Sequence, residues 1–150
     1  MSKLASLLVF LAITAAAASI GALFMPGVWY AGLAKPAWTP PNSVFPIVWP
    51  ILYVLIAISG WLVWLAAGWS AALLIWFLQL ALNASWSWWM FGQHHIFAAL
   101  VTIVGIWLAI TAYVVAAQRW SRAAAFLFLP YWAWVTFAAA LNFAVWRLNT

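Results

Sequence analysis

Residues 44–67 read VFPIVWPILYVLIAISGWLVWLAA, an uncharged stretch that is long enough to cross a lipid bilayer as an α-helix. Four other stretches are equally apolar and uncharged, and each ends near a glycine, a proline or an arginine. The full set is 4–25, 44–67, 71–91, 96–117 and 123–146. These stretches predict an all-α membrane protein, with residues 1–150 forming a single bundle of five transmembrane helices.

The composition supports lipid as the solvent of this chain. Hydrophobic residues make up 71% and charged residues 3% of the sequence, whereas soluble domains average roughly 45–50% and ~25%. A transmembrane β-barrel would show segments of ~10 residues that alternate between apolar and polar, but these apolar stretches are longer and do not alternate. The composition therefore predicts a multi-pass integral membrane protein.

Missing residue types exclude several chemistries. The sequence has no Asp, no Glu and no Cys, so carboxylate acid–base catalysis, thiolate catalysis and proton transport through an intramembrane carboxylate are not expected. The five basic residues are scattered singly, which argues against nucleic-acid binding. His94 and His95 are adjacent but have no further ligands nearby, so no metal site and no required cofactor are predicted.

The first stretch has two interpretations. Lys3 and the small residues 15–18 resemble a cleavable signal peptide. The apolar run continues to Met25, however, which favours a retained helix. For a retained helix, Lys3, Arg119 and Arg122 lie on one side of the bilayer, and Lys35 and Arg147 on the other. This one-charge margin weakly favours a cytoplasmic N-terminus.

Residues 26–43 form the first loop, which contains four prolines and two glycines. Proline restricts its own backbone and that of the preceding residue, so we expect a stiff loop ordered against the helix ends. Trp29, Tyr30 and Trp38 fit either an interfacial aromatic belt or a lid over a cavity. Ser43 is the expected N-cap of the second span, with Pro46 in its first turn.

Three spans carry polar or aromatic residues at helical spacing, which places the residues of each span on one face. Pro50 is expected to kink the second span, with Trp49 and Tyr53 sharing a face beside it. Such faces serve either as packing between helices or as the wall of a ligand site. In the third and fifth spans they consist of Gln79, Asn83 and Ser87, and of Tyr131, Trp134, Ala138 and Asn142.

Three different motifs lie on three separate spans and their flanks. The first is Trp29-Tyr30-x-x-Leu33-x-Lys35-Pro36-x-Trp38-x-Pro40-Pro41, continued by Val44-Phe45-Pro46-x-x-Trp49-x-x-x-Tyr53. The others are Gln79-x-x-Leu82-Asn83-x-x-Trp86 and Pro130-Tyr131-x-x-Trp134-x-x-Phe137-Ala138-x-x-Leu141-Asn142. Over its whole length the chain resembles the TspO/MBR family of bacterial tryptophan-rich sensory proteins and the mitochondrial translocator protein, also called the peripheral benzodiazepine receptor.

The resemblance implies a homodimeric protein, here in a bacterial membrane, that binds porphyrins such as protoporphyrin IX. It leaves open a light- and oxygen-dependent degradation of the porphyrin, with Trp49 and Trp134 as catalytic residues, or instead transport of porphyrin or sterol. Lys35 could meet the propionate groups of a porphyrin. The ligand-binding residues that it implies are Trp29, Tyr30, Trp38, Pro46, Trp49, Tyr53, Asn83, Trp86, Trp134 and Ala138.

This sequence departs from the family pattern in two places. Many relatives carry acidic residues in the first loop, where this chain has Ala31 and Gly32. The tyrosine of a proposed cholesterol motif is replaced by Phe143, so strong cholesterol binding is not expected.

Overall fold

A computed structural model describes residues 2–150, and long helices dominate it. Within this range, five helices with their flanking turns are long and apolar enough to cross a membrane, which confirms the predicted bundle. A single helical turn, α2, lies in the first loop. The helices are α1 Lys3–Ala22, α2 Val28–Ala31, α3 Phe45–Ala67, α4 Ala71–Ser87, α5 Ile96–Ala117 and α6 Arg122–Leu148.

Several helix ends differ from the predictions, and α6 begins one residue earlier and ends two residues later than predicted. α1 ends at Ala22, three residues before the predicted end, because the amide of Leu23 turns back to the carbonyl of Ile20 in a tighter turn shortly before Pro26. The N-cap prediction for Ser43 is wrong, since Asn42–Val44 forms a 3₁₀ turn that runs directly into α3. α4 ends in a wider π turn, Trp88–Gly92.

The five long helices form a closed ring. In this ring α1 packs against α3, α3 against α6, α6 against α5, α5 against α4, and α4 against α1. The consecutive helices α3 and α4 make few contacts. They are joined at Gly68, whose φ of 59° lies in the left-handed region that favours glycine. α3 and α6 both continue through their internal prolines, Pro50 and Pro130.

The bundle has two ends with different coverings. The first loop, the π turn and the C-terminal Asn149 lie at one end, which we call the loop end. The short connections 68–70 and 118–121 lie at the other, which we call the opposite end. Because successive long helices cross the bundle in alternating directions, the N-terminus, Arg119 and Arg122 all lie at the opposite end.

Close packing marks the interior on the side of the opposite end. The indole of Trp76 is fully buried and donates to the carbonyl oxygen of Ile56 at 2.9 Å. A Cβ atom on Gly60 would lie 2.5 Å from that ring, so only glycine fits here. The hydroxyl of Tyr113 donates to Ser59 Oγ at 2.8 Å, and Ser59 donates to the carbonyl oxygen of Ala124 at 2.7 Å.

Candidate ligand-binding site

A chain of hydrogen bonds links α3, α4 and α6 inside the bundle. The hydroxyl of Tyr53 donates to Asn83 Oδ1 at 2.8 Å, and Asn83 Nδ2 donates to the hydroxyl of Tyr131 at 2.7 Å. Tyr131 in turn donates to Gln79 Oε1 at 3.0 Å. The predicted polar face of the third span therefore points into the bundle, where each amide meets a tyrosine.

Aromatic rings from α3 and α6 meet beside this chain. The ring of Trp49 lies 5.6 Å from that of Tyr53 and 6.4 Å from that of Tyr131, between centroids. It is perpendicular to the indole of Trp134 at 6.5 Å. Phe45, at the start of α3, lies 5.7 Å from Trp134. We call Trp49, Tyr53, Tyr131 and Trp134 the aromatic site.

Two buried donors in this region lack an acceptor among residues 2–150. They are the side-chain amide nitrogen of Gln79 and the indole nitrogen of Trp134. A buried N–H without a partner costs about 1–3 kcal/mol. Because native structures contain few such groups, each one requires a physical explanation, and a bound water or ligand that accepts the hydrogen bond would supply it.

The first loop covers the loop end, as predicted. Trp38 packs edge-on against Phe137 at 5.7 Å, and Phe137 lies 5.7 Å from Trp134. The side chain of Asn149 makes two hydrogen bonds to the loop backbone at Ala34. Its Oδ1 accepts from the Ala34 amide at 3.0 Å, and its Nδ2 donates to the Ala34 carbonyl oxygen at 2.9 Å. These contacts connect the loop to the aromatic site through Phe137 and fasten it to the C-terminus.

Other predicted site residues form a second cluster nearer to the π turn. Trp29 stacks on His94 at 4.2 Å, and Tyr30 packs edge-on against Phe91 at 5.3 Å. Burial raises the pKa of the Tyr30 phenol, which therefore stays neutral at physiological pH.

Trp86 joins this second cluster from α4. Its ring lies 5.5 Å from Phe91, and its indole nitrogen donates to Asn142 Oδ1 at 3.0 Å. Trp86 is also packed against the main core, so it borders both regions.

The side chains of Lys35 and His95 form hydrogen bonds with backbone groups that are two to four residues away in the sequence. The ammonium of Lys35 donates to the carbonyl oxygens of Leu33 and Ala31 at 3.1 and 3.3 Å, and lies over the ring of Tyr30. His95 Nδ1 accepts from the amide of Ala98 and caps α5. Lys35 would have to leave these carbonyls to meet a propionate group.

The structure thus brings together only part of the predicted set. Trp49, Tyr53, Asn83 and Trp134 lie within one group of contacts, and the half-buried Ala138 packs against the same core. Pro46 is exposed at the start of α3. Asn149 and Phe137 were not predicted as site residues, because nothing in their local pattern shows that the first loop lies on them.

Two depressions lie away from the aromatic site. One, of about 160 Å³, is bordered by Trp107 and Thr136 on the outer side of α5 and α6. The other, of about 600 Å³, follows α5 near Arg119. Between α3 and α6, where the sequence predicts a ligand site, the rings of Trp49 and Trp134 meet edge to face with their centroids 6.5 Å apart.

Known proteins are similar to this chain over almost its whole length. The model of the TspO/MBR family matches residues 8–147, almost the whole chain. The chain belongs to the TspO/MBR family. It is therefore an integral membrane protein, and its five long helices are the transmembrane helices of this TspO/MBR member.

Individual TspO/MBR relatives match over most of their length. The chain is 41% identical over 145 residues to Protein CrtK of Rhodobacter capsulatus, covering 94% of this chain and 91% of the relative. It is 39% identical to the tryptophan-rich sensory protein of Cereibacter sphaeroides, covering 95% and 90%. The human translocator protein is 38% identical, covering 87% and 82%.

Proposed function

We propose that this chain binds a tetrapyrrole such as protoporphyrin IX between α3 and α6, with the first loop as its cover. The observation that carries the proposal is the buried indole N–H of Trp134, which lies in a cluster of aromatic rings and has no acceptor among residues 2–150. A ligand that offers both an acceptor and a flat aromatic surface would satisfy this group and stack on the rings around it.

A planar ligand could lie against the face of either indole in this region. Trp49 and Trp134 come from different helices and meet with their planes at 90°. A macrocycle would enter by separating these two rings, and Ala138 would leave room where a larger residue would not. The half-buried positions of both indoles are compatible with such movement. The energy of stacking and apolar burial would replace the ring contacts that are lost.

We further propose that Trp49 and Trp134 take part in a light- and oxygen-dependent degradation of the bound porphyrin. The chain has no carboxylate and no thiol, so the oxidisable side chains of the aromatic site are the indoles of Trp49 and Trp134 and the phenols of Tyr53 and Tyr131. The excited porphyrin and oxygen would supply the chemistry, and the protein would hold the macrocycle against an oxidisable ring.

Porphyrin titration in the dark tests the binding proposal. The purified protein is titrated with protoporphyrin IX in detergent, followed by the shift of the porphyrin absorption band. Trp49→Phe and Trp134→Phe each keep an aromatic wall, so we expect a loss of about 1 kcal/mol or less in binding free energy. The matched control is Trp69→Phe, because Trp69 is an exposed indole at the opposite end. An affinity unaffected by Ala138→Phe, described below, would contradict the proposed location.

Illumination separates binding from degradation. At saturating protein, porphyrin loss per absorbed photon should fall much further than affinity in both Trp→Phe variants, because a phenyl ring is far harder to oxidise than an indole. Equal bleaching by parent and variants would show that the indoles only line the site. A parallel loss of binding and bleaching would support the binding site without supporting catalysis.

Transport is the alternative function, suggested by the name of the human relative. Porphyrin or sterol flux into sealed vesicles that contain the protein distinguishes it from binding. Flux above that of protein-free vesicles, abolished by Ala138→Phe, would favour a translocator over a protein that only binds its ligand.

A further inference from the structure

A groove on the outer face of α5 lies at the opposite end, far from the first loop. Its volume is about 600 Å³, and its lining is almost entirely apolar. On α5 the small residues Ala112 and Ala116 line the groove, and Leu108 lines it further toward the middle of the membrane. Ala71, at the start of α4, borders it as well.

Charge and aromatic character are concentrated at the mouth of the groove. Arg119 and Trp120 both line it and are exposed. The chain contains no Asp or Glu, so no carboxylate side chain of its own can neutralise Arg119. Exposed tryptophan is typical of the level of lipid headgroups.

The N-terminus of α4 adds a second positive element at the same place. Ser70 caps α4 by accepting from the amide of Leu73. The first amides of a helix have no intrahelical acceptor, and the helix dipole is positive at this end. Ala71 belongs to both this first turn and the wall of the groove. An anion at the mouth would therefore face a guanidinium and a helix N-terminus together.

The length of the groove matches part of a lipid chain. Leu108 and Ala116 are eight residues apart, which corresponds to about 12 Å along an α-helix. One leaflet of the hydrocarbon core is ~15 Å thick, half of the bilayer value. A chain that starts at Arg119 and runs along Ala116 and Ala112 toward Leu108 would stay within one leaflet.

We propose that this groove binds an anionic phospholipid, with its phosphate at Arg119 and the start of α4 and one acyl chain along Ala116 and Ala112. The charge selects the anionic headgroup, and the small side chains give the acyl chain room to lie close to the helix. This site is independent of the proposed porphyrin site, which lies between α3 and α6.

Native mass spectrometry of the detergent-purified protein tests the proposal. The protein is mixed with equal amounts of phosphatidylglycerol and phosphatidylcholine, and the retained lipid is counted. We expect the parent to retain phosphatidylglycerol preferentially. Arg119→Gln should lower its retention at least fivefold, and Arg119→Lys should keep most of it. Arg122→Gln is the matched control, because Arg122 lies at the same end and outside the lining of the groove, and it should change retention less than twofold.

A second variant tests the acyl chain separately from the charge. Ala112→Phe would fill the groove on an outward-facing side of α5, and should lower retention of phosphatidylglycerol as far as Arg119→Gln does. Soluble glycerol 3-phosphate, which offers the headgroup without chains, should not displace the lipid.

Three results would overturn the proposal. Equal losses in Arg119→Gln and Arg122→Gln would mean a diffuse attraction between the bundle end and anionic lipid. Equal retention of the two lipids would mean no selection for charge. Displacement by glycerol 3-phosphate, with Ala112→Phe unchanged, would mean a site for free phosphate anions.

Discussion

Two sets of buried polar groups cross this bundle, and they differ in how completely their members are paired. Near the opposite end, Tyr113 donates to Ser59 and Ser59 donates to a backbone carbonyl, so the series ends on a satisfied acceptor. In the aromatic site, the series from Tyr53 ends at Gln79, whose amide nitrogen has no acceptor in the described chain. Complete pairing fixes a single packed arrangement, whereas an unpaired donor favours a partner from outside.

The tryptophans repeat this contrast. Trp76 is fully buried and its indole donates to a carbonyl oxygen, but Trp134 is half-buried and its indole donates to no residue between 2 and 150. The same residue type thus stabilises the bundle at one end and forms a candidate ligand surface near the other. The variants below test whether the two regions differ in stability and in binding as this contrast predicts.

Gly60→Ala should have the largest effect on stability. The new Cβ would lie 2.5 Å from the Trp76 ring, and overpacking a filled core costs about 3 kcal/mol at the upper end of its usual range. This loss exceeds the gain of about 1 kcal/mol in helix propensity. Thermal unfolding in detergent measures the change. Gly105→Ala is the control, because its Cβ would meet Leu82 at an ordinary 3.7 Å. An equal loss of stability in this control would contradict the proposed clash with Trp76.

Ala138→Phe should have the largest effect on ligand binding. A phenyl ring at this half-buried position would occupy the space that we assign to the macrocycle. We expect porphyrin affinity to fall about a hundredfold, or about 2.7 kcal/mol, with the protein still folded. Ala140→Phe serves as the control, since Ala140 is exposed on the same helix. Unfolding of the Ala138 variant would identify Ala138 as a helix-packing residue instead.

Ser59→Ala should destabilise the protein more than Gln79→Leu does. The first change removes the acceptor of the fully buried Tyr113 hydroxyl, at a cost of about 2 kcal/mol. The second also deprives Tyr131 of an acceptor, but it removes the unpaired amide of Gln79 at the same time. Unfolding of both variants under identical detergent conditions gives the comparison. Equal or reversed losses would show that the two polar series are energetically alike.

Asn149→Ala should have the smallest effect, confined to the loop end. It removes two solvent-exposed hydrogen bonds to the backbone of Ala34 and a third to the carbonyl oxygen of Val145, for a cost of about 1 kcal/mol. Hydrogen exchange in the first loop should quicken, with the midpoint of thermal unfolding nearly unchanged. Thr150→Ala controls for general loosening of the C-terminus, because the Thr150 hydroxyl bonds only within that segment. Unaltered exchange at the loop would mean that Trp38 and Phe137 hold it without Asn149.

Local signals predicted the helices well, but not all of their ends. Long uncharged stretches leave few alternatives in lipid, because only a helix satisfies every backbone group within its own segment. The error at Ser43 arose because a serine before an apolar run fits an N-cap, and nothing local indicates that a 3₁₀ turn precedes the helix. The π turn at Trp88–Gly92 was not predicted either; it packs against α5, a contact that the local sequence does not indicate.

Faces could be predicted from spacing, but their partners could not. The four-residue interval between Gln79 and Asn83 correctly places both on one face of α4, and both are buried. That Tyr53 and Tyr131 supply their hydrogen bonds depends on α3 and α6 being neighbours in the ring, which helical periodicity does not encode.

Composition and periodicity determined that this chain is a five-helix membrane bundle with an ordered, proline-rich loop, because the cost of exposed backbone groups and charges in lipid acts on each segment separately. The tertiary structure decided the rest. It set the order of helices around the ring and joined Asn149 to Ala34 across 115 positions of sequence. It also buried the indole nitrogen of Trp134 where no described residue accepts from it. These features depend on contacts between distant segments, whose energies arise only when the helices pack together.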